Sequence, residues 1–150
     1  MEMDHLDKSI KMVSRRVNNI NLGGCGIFAF ELYKILKFEF GIETEIVFSG
    51  YRSCEKICFD HIMLLVMNPD HVNVAVWIDS TGVRYQEPGG FRNYMELNEL
   101  ASLLEDKSLW NKSFHYYFSD HNFNIISNEN FLRCMIYKYI SHRIPTLIDD

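Results

Sequence analysis

The segment HIMLLVM, residues 61–67, is the strongest constraint on the fold, because after its opening histidine it is apolar throughout and is followed by Asn68, Pro69 and Asp70. Apolar runs of this length bounded by turn residues read as buried strands. Beyond the turn, VNVAVWID is rich in β-branched residues and stops at Ser80, Thr81 and Gly82, so the two runs form a predicted hairpin. The hairpin brings the start of its first strand, His61, and the end of its second, Asp79, to one end of a sheet.

The flanking chain has other periods. Leu6, Ile10, Val13 and Val17 recur at helical spacing, with Asp4 and Asp7 early and Arg15 and Arg16 late, which predicts a helix over 4–18. Asn18, Asn19 and Asn21 with Gly23, Gly24 and Gly26 break it, and IFAFELYKILKFEF starts a second helix for which Gly41 is the natural C′ residue. IETEIVFSGY from Ile42 reads as a strand, YMELNELASLLED as a helix after Pro88, Gly89 and Gly90, FHYYF as a strand, and Ser127 as the cap of a last helix to about Ser141. Helices, then antiparallel strands, then helices again predict an α+β fold rather than alternating βαβ units. Phe131, Met135 and Tyr139 read as packing positions of the last helix.

At 150 residues with 47% hydrophobic and 23% charged content, the chain suits one globular domain that needs no disulfide staples. A formal charge of −5, with no basic arm or stripe, disfavours nucleic acid as a partner. Neither a signal peptide nor a membrane span is predicted, so a cytoplasmic site and reduced Cys25, Cys54, Cys58 and Cys134 are expected. Abundant Ile, Phe, Tyr, Asn and Lys beside scarce Pro suit a gene rich in A and T, such as a viral one, which would place the chain in a host cytoplasm.

Chemistry concentrates at LGGCGIFAF, where Cys25 stands between a glycine loop and the first turn of a helix. Unpaired N–H groups and the macrodipole favour an anion at such a place, and the thiolate is the nucleophilic form of cysteine. The N–H of Cys25 itself can donate to an oxyanion. A thiol nucleophile needs a base, and the base needs a group that holds its tautomer; His61 and Asp79 fill these roles, with Asp60 and Asp70 as rivals for the second.

In this order GGCGIFAFELYKIL, GIETEIVFSGY, HIMLLV and WIDSTG resemble the transglutaminase-like branch of the papain-like cysteine enzymes, over residues 18–83. The resemblance implies a nucleophile helix packed on a small antiparallel sheet with flanking helices, and a triad of Cys25, His61 and Asp79 that transfers an acyl group through a thioester. It further implies a protein or peptide substrate, no cofactor, and an amide side chain ahead of the nucleophile as second oxyanion donor, for which Asn19 stands before Asn18 and Asn21. Ile62 follows the histidine and Ser80 the aspartate where family transglutaminases carry an aromatic and a proline. Hydrolysis of a peptide or side-chain amide, transamidation or deamidation of glutamine, and a non-catalytic binding or inhibitor module all stay open.

Other arrangements compete. Cys25 also suits a small buried hydrophobe at a glycine-packed helix start. Cys54, Cys58 and His61 spell C-x3-C-x2-H, three potential ligands of a zinc or iron site that Cys25 or His71 would complete. The remaining histidines, His5, His115, His121 and His142, have no partner at diagnostic spacing, and GGCG lacks the Lys and Ser or Thr of a phosphate loop. Residues 49–60 precede His61 and read as a lid or cleft wall.

Overall fold

Leu6, Ile10 and Val13 are wholly buried on one stripe of helix α1 (Asp4–Arg16), while acidic residues occupy its first turn and basic ones its last. The pattern that predicts this helix is thus also what docks it. The computed structural model describes residues 3–16, 25–53, 56–67, 75–88, 93–105 and 133–140. Asn18, Asn19, Asn21, Cys54, Asp70, His71 and the expected strand FHYYF lie outside them.

Helix α2 (Cys25–Lys34) is buried on almost every side, as its high content of Ile, Phe, Ala and Leu requires. Its continuation differs from the expected α-helix: Ile35–Glu39 form a π-helical turn. The wider turn keeps Ile35 and Leu36 buried while Lys37, Phe38 and Glu39 face solvent. Gly41 follows at φ 67°, and the N–H of Ile42 donates to the carbonyl of Leu36 at 2.8 Å, so Gly41 stops the helix as predicted.

Strands β1 (Thr44–Ser53), β2 (Lys56–Met67), β3 (Ala75–Asp79), β4 (Gly82–Arg84) and β5 (Asn93–Met95) make one antiparallel sheet in the order β4-β3-β2-β1-β5. The predicted pairing of β2 with β3 is present, in register Leu64↔Ile78 and Leu65↔Trp77. Within 49–60, read as a lid or cleft wall, Gly50–Ser53 pair with Lys56–Phe59 as the far end of the β1–β2 hairpin. One expectation is corrected: Tyr94 and Met95, expected as helix, instead join Asn93 in an edge strand on β1, and helix α3 (Leu97–Glu105) starts only after it. Glu99 accepts the N–H of Glu96 at 3.0 Å, half of a capping box that defines this start.

The core lies between the sheet and the helices. Ile46, Phe48, Ile62, Leu64, Val66, Val76 and Ile78 meet Ile27, Phe28 and Leu32 of α2, Leu100, Leu103 and Leu104 of α3, and the buried stripe of α1. Ile136 and Ile140 join them from residues 133–140, where 133–139 are helical (α4). A β-carbon on Gly26 would meet Leu104 at 3.3 Å and Ile62 at 3.4 Å, so the glycine next to Cys25 lets the start of α2 sit close against β2 and α3. The described architecture is α+β. Among the described residues no helix is long and apolar enough to cross a membrane.

Candidate active site

Cys25 is the first residue of α2 and only 2% exposed. His61 lies in β2 beside an irregularity: β1 and β2 run in register through Ser49↔His61, then resume at Gly50↔Phe59. Asp60 is therefore the extra residue of a β-bulge. The consequence shows in burial, since Phe59 and Ile62, an odd number of positions apart, are both buried, with the half-exposed His61 in the break. Bulges bend a strand and re-aim the neighbouring side chain.

The β2–β3 register carried one step outward from Leu64↔Ile78 sets Asp79 opposite Met63. His61 is then its diagonal neighbour on the adjacent strand, within reach of a long side chain. His61 Nε2 donates to Asp79 Oδ2 at 2.9 Å. The Cys25 thiol is close enough to the imidazole to favour its protonated form. The three residues singled out from the sequence thus meet through His61.

Charge follows this geometry. The hydrogen bond of His61 to Asp79 first and the neighbouring Cys25 thiol second outweigh the opposing effect of burial, raising the imidazole from its usual 6.5 to about 9. Burial by itself pushes the Asp79 carboxyl up, but His61 together with the hydroxyl and N–H of Thr81 overcomes it and holds the group below the usual aspartate value. At neutral pH the pair is an imidazolium facing a carboxylate that is 4% exposed. Because partners on both sides satisfy it, the buried charge is tolerated.

Sequence reasoning missed the residues behind Asp79. Thr81 donates to Asp79 Oδ1 twice, through its N–H at 2.8 Å and through Oγ1. Arg84 donates to Thr81 Oγ1 at 3.0 Å and lies 3.6 Å from Asp79 Oδ2. The signal was present in Asp79-Ser80-Thr81-Gly82, the composition of a turn closed by an aspartate side chain on the N–H two residues ahead.

Helix α1 holds the same turn from the other side. Ser14 Oγ donates to the Ser80 carbonyl, and Asp7 Oδ1 accepts the N–H of Val83 at 2.8 Å. Gly82 between them has φ 136°, and a β-carbon there would run into Asp7 Oδ1. Gly82→Ala is therefore expected to lower stability by about 1–3 kcal/mol in chemical denaturation. The loss should shrink in an Asp7→Ala background, where only the backbone strain remains. A Gly82→Ala protein as stable as the parent would show that α1 does not clamp the turn.

Asn19 and its rivals Asn18 and Asn21 lie outside the described residues, as do Cys54 and Asp70; the side chains of Cys58 and Asp60 are likewise not described. Among the described residues no group of three or more His, Cys, Asp and Glu side chains is arranged to hold a metal ion. A depression of about 240 Å³ lined by Tyr33, Lys37, Thr44, Glu45, Tyr94 and Glu96, among others, shares no residue with the Cys25–His61–Asp79 group.

What the group can do is shift a proton between a thiol and an imidazole whose far side is fixed by a carboxylate, at a helix start that favours negative charge. No protein-family model, no curated protein and no solved structure matches this chain.

Proposed function

We propose that this chain is a cysteine enzyme of papain-like, transglutaminase-like fold that transfers an acyl group from a peptide or side-chain amide to water. One observation carries the reading: His61 hydrogen-bonds Asp79 through Nε2 at 2.9 Å and neighbours the thiol of Cys25 at the start of α2. Nucleophile, base and orienting carboxylate in that order are what covalent acyl transfer requires.

In this mechanism Cys25 attacks the amide carbonyl carbon as the thiolate, paired with the His61 imidazolium that holds the proton, and forms a tetrahedral oxyanion that the N–H of Cys25 stabilises. The imidazolium then gives its proton to the leaving nitrogen, the C–N bond breaks, and a thioester remains. Water attacks the thioester carbon, His61 accepts its proton, and the C–S bond breaks to release a carboxylic acid and restore the thiolate beside the imidazolium. Asp79 holds the imidazole in one orientation and stabilises its charged form throughout. An amine in place of water would make the same site a transamidase.

The test is the pH dependence of iodoacetamide alkylation at Cys25, followed by mass spectrometry. The exposed free Cys134 serves as a reference within the same chain. Despite its burial, Cys25 is expected to react at least tenfold faster than Cys134 at pH 6, because an ordinary thiol is then almost wholly protonated. His61→Ala should remove that advantage. A Cys25 slower than Cys134 at every pH, in both proteins, would overturn the enzyme reading in favour of a binding module built on this scaffold.

A further inference from the structure

Asp79 presents two oxygens, and only one can serve His61. A carboxylate turns easily about its terminal torsion, so Oδ2 stays on the imidazole only while Oδ1 is held. The holding groups all come from the turn after β3. Thr81 supplies both its N–H, at 2.8 Å, and its hydroxyl to Oδ1, while Arg84 approaches the same hydroxyl at 3.0 Å.

The direction of these bonds is forced. Arg84 has donors only, so its contact occupies a lone pair of Thr81 Oγ1 and leaves the single O–H of that residue for Asp79. A side chain at this position must accept from a cation and donate to a carboxylate at once. Serine and threonine meet that condition, and valine, of nearly the same shape, does not.

We infer that Thr81 is the positioning residue of the site: by clamping Asp79 Oδ1 with hydroxyl and backbone N–H, under the direction of Arg84, it keeps Oδ2 aimed at His61. The inference rests on the acyl-transfer reading above and adds to it the residue through which the β3–β4 turn governs the base. Among the described residues, the charged and titratable groups facing this unit are Cys25 from α2, His61 from β2, Asp79 from β3 and Arg84 from β4, with Asp7 of α1 on the Val83 N–H of the same turn and Lys11 of α1 beside Gly82 and paired to Asp7.

The experiment compares Cys25 alkylation by iodoacetamide across pH in the full chain and in His61→Ala, Thr81→Val, Thr81→Ser and Arg84→Ala. With Thr81→Val the acid limb of the profile should move to higher pH, and the rate at pH 6 should fall about tenfold, the effect of one lost hydrogen bond to a charged group. Thr81→Ser should restore most of it, which a role confined to turn stability would not produce. If Thr81→Val does not fold, Arg84→Ala, made at an exposed side chain, decides: a lowered rate at pH 6 supports the clamp and an unchanged one overturns it. Parent-like alkylation in a folded Thr81→Val also overturns it. The failure of the underlying reading is separable, because His61→Ala would then leave the Cys25 profile unchanged.

Discussion

Asp79→Asn is expected to bring the His61 imidazole down from about 9 toward its ordinary 6.5, as followed by NMR titration with His61→Ala for assignment. The largest cause of the raised value is the hydrogen bond to Asp79, and an amide cannot supply the charge that stabilises imidazolium. The consequence for stability has a definite sign. A histidine whose value is higher in the folded chain than in the unfolded one stabilises the fold below the unfolded value, near 6.5. That contribution disappears as pH rises through about 9.

For His61 the contribution is on the order of 3 kcal/mol. The unfolding free energy of the parent should fall by about that amount between pH 6.5 and 9.5, and most of this fall should be missing in Asp79→Asn. Denaturant titrations at several pH values check it. Parallel pH dependences in the two proteins would mean that Asp79 does not hold His61 protonated. On the acid side the effect reverses, because the lowered Asp79 carboxyl contributes stability that is lost as pH falls below the usual aspartate range.

Arg133→Met is expected to destabilise the fold by about 2 kcal/mol, since the buried Glu31 loses a charge-assisted hydrogen bond and keeps, among the described residues, only Lys34 as a cationic partner. Glu31, inside α2 and 4% exposed, accepts Arg133 Nε at 2.7 Å and lies 3.1 Å from Lys34 Nζ. Burial, then the charges of Glu31 and Glu39, raise the nearby Tyr137 phenol above its ordinary value. Glu31 therefore joins α4 to the helix that begins with Cys25. The double variant Glu31→Leu with Arg133→Met should recover much of the loss, because no buried charge then remains. A loss below about 1 kcal/mol in the single variant, by chemical denaturation, would place the pair among exposed salt bridges of small effect.

Much of the site was legible before the fold because its signals are local. Cys25 was marked by the glycines and helix start around it, and His61 and Asp79 by the two strands they open and close around a turn. The chemistry of each residue and the hairpin linking the last two are properties of a few adjacent residues. The α+β class follows in the same way from a hydrophobic period that is helical, then strand-like, then helical.

The rest depended on partners distant in sequence. RSCEKIC has the polarity of a loop, yet Arg52 and Ser53 pair with Ile57 and Lys56 across the β1–β2 hairpin, and the Asp60 bulge resets the alternation of β2 so that Ile57 and Phe59 are buried with Ile62. A bulge is defined by counting residues against another strand, so one strand's sequence does not announce it. Asn93–Met95 carry no strand signature of their own and are a strand because β1 offers an edge. The π turn after Lys34, the grip of Asp7 and Ser14 on the β3–β4 turn, and the Glu31–Arg133 pair likewise exist only once packing has chosen neighbours. The sequence by itself determined which residues can do chemistry and at which element ends they stand. Only the tertiary structure decided that His61 reaches both Cys25 and Asp79, and that Thr81 holds the second oxygen, because hydrogen-bond geometry is set by the approach of segments that the chain separates.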